Sequence, residues 1–177
     1  MSLALYRKYR PGTFAEVIGQ EHVTEPLCQA LESGRIHHAY LFSGPRGCGK
    51  TSSARILARS LNCEKGPTPT PCGVCDSCVA LAPNGPGSLD VIEIDAASHG
   101  LVDDARDLRE RAFFAPVSSR FKIYVIDEAH MITTAAFALG PWWLSSAASA
   151  ARCRSRSRVS TTFCPGSGFE STSVPWR

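Results

Sequence analysis

No stretch of this 177-residue sequence reaches the roughly 18 apolar residues of a membrane span, so no transmembrane helix is read from it. Its first ten residues are basic and aromatic but lack the apolar core of a secretory signal, and the expectation is a cytoplasmic protein. Other absences are local. After residue 137 lysine is missing, Glu170 is the only acid, and five arginines remain. Tryptophan is missing before position 142, and Trp142, Trp143 and Trp176 all fall in that last stretch. Residues 1–137 carry 14 Lys+Arg against 15 Asp+Glu, so the net charge of +3 belongs to the last forty or so residues and is no nucleic-acid footprint.

What is present divides at the same place. Val23, Leu27, Ala30 and Leu31 recur at helical spacing, with Pro26 near the start and Gly34 past the end. Ala39-Tyr40-Leu41-Phe42-Ser43 is a short apolar run that stops at a glycine, as a buried parallel strand does. Residues 51–61 place Ala54, Leu57, Ala58 and Leu61 on one helical face. Two further apolar runs, residues 91–94 and 123–126, each end in an aspartate, Asp95 and Asp127. Strands alternating with helices imply an α/β fold, with a parallel sheet and helices on both faces. Residues 138–177 follow no such period. Small residues alternate with arginine and then give way to Ser, Thr, Gly and Pro, so a disordered tail is expected. No internal repeat is present.

Gly44-Pro45-Arg46-Gly47-Cys48-Gly49-Lys50-Thr51 lies between a strand and a helix, the setting a phosphate loop needs. Its glycines let the backbone curl so that N–H groups converge on a phosphate at a positive helix end. Lys50 would meet the β- and γ-phosphates of ATP, and Thr51 would hold Mg²⁺. Asp127-Glu128 closes the strand 123–126, at the end of a sheet where ligands bind. Asp127 would stand near Mg²⁺ and Glu128 would polarise the attacking water, although acids at a strand end also cap following helices.

Cys63, Cys72, Cys75 and Cys78 follow the spacing C-x8-C-x2-C-x2-C in a loop rich in proline and glycine. Four thiolates in a reducing compartment suit a closed tetrahedral Zn²⁺ site of structural kind. A disulfide pair and an iron–sulfur cluster are the other readings of that spacing. Cys28 reads as helix packing, and Cys48 as a variable position of the phosphate loop.

With these motifs in place, the sequence resembles the gamma/tau subunit family of bacterial DNA polymerase III, the ATPase of the sliding-clamp loader. The resemblance covers about residues 3–137. It rests on Tyr6-Arg7-Lys8-Tyr9-Arg10-Pro11, Phe14-Ala15-Glu16-Val17-Ile18-Gly19-Gln20 and His37-His38-Ala39-Tyr40-Leu41-Phe42-Ser43-Gly44. It continues through the cysteine insert, Glu93-Ile94-Asp95-Ala96-Ala97-Ser98 and Asp127-Glu128-Ala129-His130-Met131. The resemblance implies a P-loop NTPase of the AAA+ type over residues 1–137, incomplete, with a zinc insert at 63–78. It further implies ATP-driven loading of the β clamp on primed DNA, in a hetero-oligomeric ring with delta-type subunits. On the same pattern Arg10, Pro11, Val17, Ile18 and Gln20 surround the adenine.

The match breaks after Phe137, where Ala138-Leu139-Gly140-Pro141-Trp142-Trp143 replaces the family's helix, sensor strand, arginine-finger segment, lid and collar. A change of composition inside a motif is what a reading-frame shift produces. Ser157-Arg158 copies the finger's letters without the elements that position them. An alternative is a nucleotide- and zinc-binding fragment without turnover. A helicase is a third reading, because Asp127-Glu128-Ala129-His130 spells a DEAH box, but no later helicase motif follows. Acids and arginines in residues 103–113 pair at helical spacing and suggest a solvated helix, not a DNA patch.

Overall fold

The computed structural model describes residues 9–37, 39–45, 47–98, 110–111, 114–131 and 158–163. A four-stranded sheet forms the centre: β1 (Ala39–Gly44), β2 (Val91–Asp95), β3 (Ile123–Asp127) and β4 (Arg158–Phe163), in the order β1-β4-β3-β2. The described helices are α1 (Glu21–Glu32), α2 (Lys50–Leu61) and α3 (Asp76–Ala80), with short 3-10 turns at Phe14–Glu16 and Ala129–Met131. None of the described helices is long and apolar enough to cross a membrane.

The expected α/β fold class is present, although among the described residues the α-helices of the core pack on one face of the sheet and not on both. β2 and β3 pair in parallel from Val91↔Ile123 to Asp95↔Asp127. β3 is buried at Ile123, Tyr124, Val125 and Ile126 alike, as its unbroken apolar run requires of an interior strand. On one face Ile123, Val125 and Val91 pack with Leu27 and Leu31 of α1 and Ala54, Leu57, Ala58 and Leu61 of α2. Of the residues spaced for burial on those two helices, six lie in this cluster and Val23 packs against it, whereas Ala30 is half-buried outside it. On the other face Tyr124 and Ile126 pack with Ala96 and Ala129. The helix expected over residues 103–113 lies largely outside the described residues.

Two expectations need correction. The sheet is mixed: β4 runs antiparallel to both β1 (Ala39↔Phe163 through Gly44↔Arg158) and β3 (Tyr124↔Phe163 through Ile126↔Thr161). Residues 158–163 also depart from the disordered tail expected of 138–177. Composition weighed their small apolar area, but Val159, Thr161, Thr162 and Phe163 are β-formers, and the slot between β1 and β3 offers ladder partners on both sides.

Candidate functional site

The candidate phosphate loop follows β1 directly and opens α2. Gly47 (φ 81°) and Gly49 (φ 86°) take the left-handed backbone that side chains rarely adopt, so the curl depends on glycine there. At Gly44 the constraint is room, because a Cβ built on it would lie 2.8 Å from Cys48 Sγ. The Lys50 ammonium folds over the loop, donating to the carbonyls of Gly44 (3.1 Å) and Pro45 (2.8 Å), with Cys48 Sγ at 3.8 Å. Arg46 lies outside the described residues.

Seventy-six positions separate Thr51 from Asp127, yet the Thr51 hydroxyl donates to Asp127 Oδ2 at 2.8 Å. The other carboxylate oxygen of Asp127 accepts the Glu128 N–H at 2.9 Å. Glu128 is the one non-glycine residue with positive φ (49°) among the described residues, and strained backbone of this kind collects at functional sites. Lys50, Thr51, Asp127 and Glu128 thus share one end of the sheet. Asp95, in register beside Asp127, is occupied as a turn cap: its oxygens accept from Ala97 N (2.9 Å) and Ser98 Oγ (3.1 Å).

At the opposite end of α2 the chain runs from Leu61 through Asn62 into the cysteine cluster. The sulfurs of Cys63, Cys72, Cys75 and Cys78 all lie within 4.8 Å of one another, so the four could hold a metal ion. The Cys72 and Cys78 sulfurs are 3.9 Å apart, far beyond the ~2.05 Å of a disulfide and close to the separation of two ligands on a tetrahedral zinc. None of the four is in a disulfide. Backbone N–H groups of Val74 and Cys75 hold the Cys72 thiol below its ordinary range, whereas burial pushes Cys78 up. The insert was expected as loop throughout, but Asp76–Ala80 is helical, with Cys75 at its N-cap. The C-x2-C pair therefore straddles a helix start, which brings both sulfurs inward.

The five residues expected around a base lie in the segment before α1. Val17 packs partly into the core, Arg10, Pro11 and Gln20 are half-buried, and Ile18 is 91% exposed. The segment is stiffened by Glu16, whose oxygens accept from Gly12 N (2.8 Å) and Thr13 Oγ1 (2.9 Å). Those two donors, with the nearby charge of Arg59, hold the Glu16 carboxyl below its ordinary range. Arg59 Nη1 also donates to the Gly12 carbonyl at 3.1 Å, fastening the segment to α2.

Sequence reasoning missed three polar anchors. Arg59 is one. Asn62 exchanges two hydrogen bonds with the Phe121 backbone (3.0 and 2.9 Å). Asp90, buried, accepts from the N–H groups of Val117 (2.7 Å), Ser118 (2.9 Å) and Ser119 (2.7 Å). A polar residue at the boundary of an apolar run was the available signal, but it names no partner.

Comparison with known proteins agrees with this architecture. Residues 19–139 match the family model described as DNA polymerase III, delta subunit. The DNA polymerase III subunit gamma/tau of Mycobacterium tuberculosis (strain ATCC 25618 / H37Rv) is 75% identical over 135 residues, 76% of this chain and 23% of that protein. The tau subunit of Escherichia coli (strain K12) is 57% identical over 133 residues, 75% of this chain and 20% of the relative. That of Bacillus subtilis (strain 168) is 52% identical over 134 residues, 76% and 23% respectively. The chain thus spans between a fifth and a quarter of the length of these relatives. With the family model covering more than half of its residues, the chain belongs to the DNA polymerase III delta-subunit family, its N-terminal part being homologous to the gamma/tau subunits of that polymerase.

Proposed function

We propose that this chain is the nucleotide-binding part of a clamp-loader ATPase of the AAA+ type, acting in DNA replication within a DNA polymerase III holoenzyme. The observation that carries the proposal is the 2.8 Å bond between Thr51 and Asp127, which joins the phosphate loop to the acidic strand end. The N–H groups of the loop and of the first turn of α2 would receive the phosphates of ATP. Lys50 would turn its ammonium from the Gly44 and Pro45 carbonyls to the β- and γ-phosphates. Thr51 and Asp127 are the residues that would hold Mg²⁺, which when bound neutralises phosphate charge. Glu128, turned off the strand by its positive φ, would orient water toward the γ-phosphate. Arg10, Pro11, Val17, Ile18 and Gln20 would face the adenine, the exposed Ile18 offering apolar area to it.

Cys63, Cys72, Cys75 and Cys78 would hold Zn²⁺ as four thiolates, a closed set that cross-links the insert and leaves no position for substrate. In the assembled protein the expected partners are delta-type loader subunits, the β sliding clamp and primed DNA, in a hetero-oligomeric ring. The subunit would drive loading and would not itself polymerise DNA.

A second reading, nucleotide binding without turnover, is favoured by β4. Its antiparallel strand, from the stretch that replaces the family's sensor strand and arginine-finger segment, fills the sheet position between the strand before the candidate phosphate loop and the acidic strand. An arginine finger is worth about 10³–10⁵ in rate, and no positioned one is read in this sequence. Binding of ATP by the purified chain tests the proposal, with zinc quantified in the same sample. Mg²⁺-dependent binding that falls roughly a hundredfold in Lys50→Ala is expected, since charge-assisted bonds to phosphate are lost. Binding indifferent to Lys50 overturns it. Turnover measured with intact partner subunits added separates the two readings.

A further inference from the structure

Arg59 sits where three segments meet. It lies in the last turn of α2, the helix that begins with the phosphate loop and leads through Asn62 to the first cysteine of the cluster. Its guanidinium occupies a slot between two glycines. A Cβ built on Gly12 would lie 3.3 Å from Arg59 Nη1 and 3.5 Å from Pro83 Cγ, and one built on Gly73 would lie 3.6 Å from Arg59 Nη2. Gly73 directly follows the cluster residue Cys72, and its φ of 77° is part of the turn between Cys72 and Cys75. On the other side, Nη1 donates to the Gly12 carbonyl at 3.1 Å, while the Gly12 N–H is held by Glu16 at 2.8 Å. The planar fork therefore bridges the cysteine turn and the segment that precedes α1.

We propose that Arg59 is a positioning residue that couples the cysteine cluster to the base side of the nucleotide site. This deepens the reading above and rests on it for the assignment of residues 10–20 to the base. A metal gathered by Cys63, Cys72, Cys75 and Cys78 fixes the turn at Gly73, and the fixed turn keeps the Arg59 fork in its slot. The fork in turn keeps the Gly12 carbonyl, and with it the Arg10–Pro11 and Val17–Ile18 backbone, at one distance from α2. Without the metal the turn is free to move, and the segment loses its reference to the helix. The phosphate end of α2 does not depend on this link, because Lys50, Thr51 and Asp127 are held by their own bonds. The coupling is therefore selective: it acts on the base and spares the phosphates.

The test is a cycle of equilibrium binding on the full chain, zinc-loaded and chelator-stripped, with ATP and inorganic tripolyphosphate as probes. In the native sequence, stripping the metal is expected to weaken ATP about tenfold and to leave tripolyphosphate nearly unchanged. Arg59→Ala, zinc-loaded, should show the same tenfold loss for ATP, and stripping its metal should add nothing further. Arg59→Lys, which keeps one donor able to reach Gly12, should recover part of the ATP preference. Circular dichroism confirms that each form is folded; if the stripped form is not, the comparison of Arg59→Ala with Arg59→Lys on zinc-loaded protein decides. The proposal is overturned if Lys50-dependent ATP binding ignores the metal, if Arg59→Ala retains the full metal effect, or if both probes weaken together. Loss of all Lys50-dependent binding removes the nucleotide-site reading as well, and so is told apart from failure of the coupling alone.

Discussion

On the proposed function, the two ends of α2 would gather a charged ligand in opposite ways. At its first turn the donors are backbone N–H groups, exposed by a loop whose glycines sit at φ 81° and 86°, and the side chains nearby are only half-buried. At its last turn the donors are side chains: Cys63 and Cys78 are wholly buried and Cys75 nearly so, within a turn closed by Gly73 and a short helix. A helix end whose ligand is held by backbone can stay polar and open without loss of order, because the backbone is already fixed by the strand before it and the helix after it. An end whose ligand is held by side chains buries most of them, here all but the half-buried Cys72, and would then depend on that ligand to balance four thiols crowded within 4.8 Å. The difference teaches that metal loss should damage the fold, while nucleotide loss should not.

Cys78→Ser is the strongest way to break that contrast. It should abolish stoichiometric metal and lower the melting temperature by many degrees, because a structural metal site adds its binding free energy to the stability of the fold. Metal analysis beside a thermal melt checks both, and an unchanged melt would erase the distinction between the ends.

Next in size is Asp90→Asn. Burial alone would raise the Asp90 carboxyl, but the N–H groups of Val117, Ser118 and Ser119 outweigh it and hold the group below its ordinary value. A depressed folded value means the carboxylate adds stability at pH above its unfolded pKa of ~3.9, and loses it as pH falls through the folded value. Asparagine should therefore cost about 2 kcal/mol at neutral pH by urea unfolding, and the gap to native should narrow below about pH 4. A gap independent of acid would mean the loop at 117–119 is held by something other than charge.

The middle of α2 supplies the smallest effect. Arg55 pairs with Glu93 of β2, but the two side chains are 34% and 40% exposed, so water and salt screen the attraction. Arg55→Met should move stability by no more than about 0.5 kcal/mol, which a urea titration resolves only as near-coincident curves.

Much of the fold was legible because its signals are local. The apolar runs at 39–43, 91–94 and 123–126 stop at glycine or aspartate, and β1, β2 and β3 occupy those places. Ala54, Leu57, Ala58 and Leu61 recur at the period of a helix face and are buried in α2. Cysteine spacing likewise names its own partners. What stayed hidden is nonlocal. Nothing near Arg59 points to Gly12, and nothing near Asp90 points to Val117, because a side-chain donor or acceptor is satisfied by whatever backbone the fold brings to it. β4 was hidden for a related reason. Its six residues look poor in apolar area, and they gain order from two neighbouring ladders that only the assembled sheet supplies.

The place of β4 also sets a clock. Synthesis proceeds at roughly 5–20 residues per second, so β1 leaves the ribosome on the order of ten seconds before residues 158–163 exist. For that interval β1 has no partner on the side that β4 later fills, and it offers a ladder edge to any extended segment nearby. The nascent chain thus carries a lone strand with an open edge, a state vulnerable to pairing with the next chain on the same message.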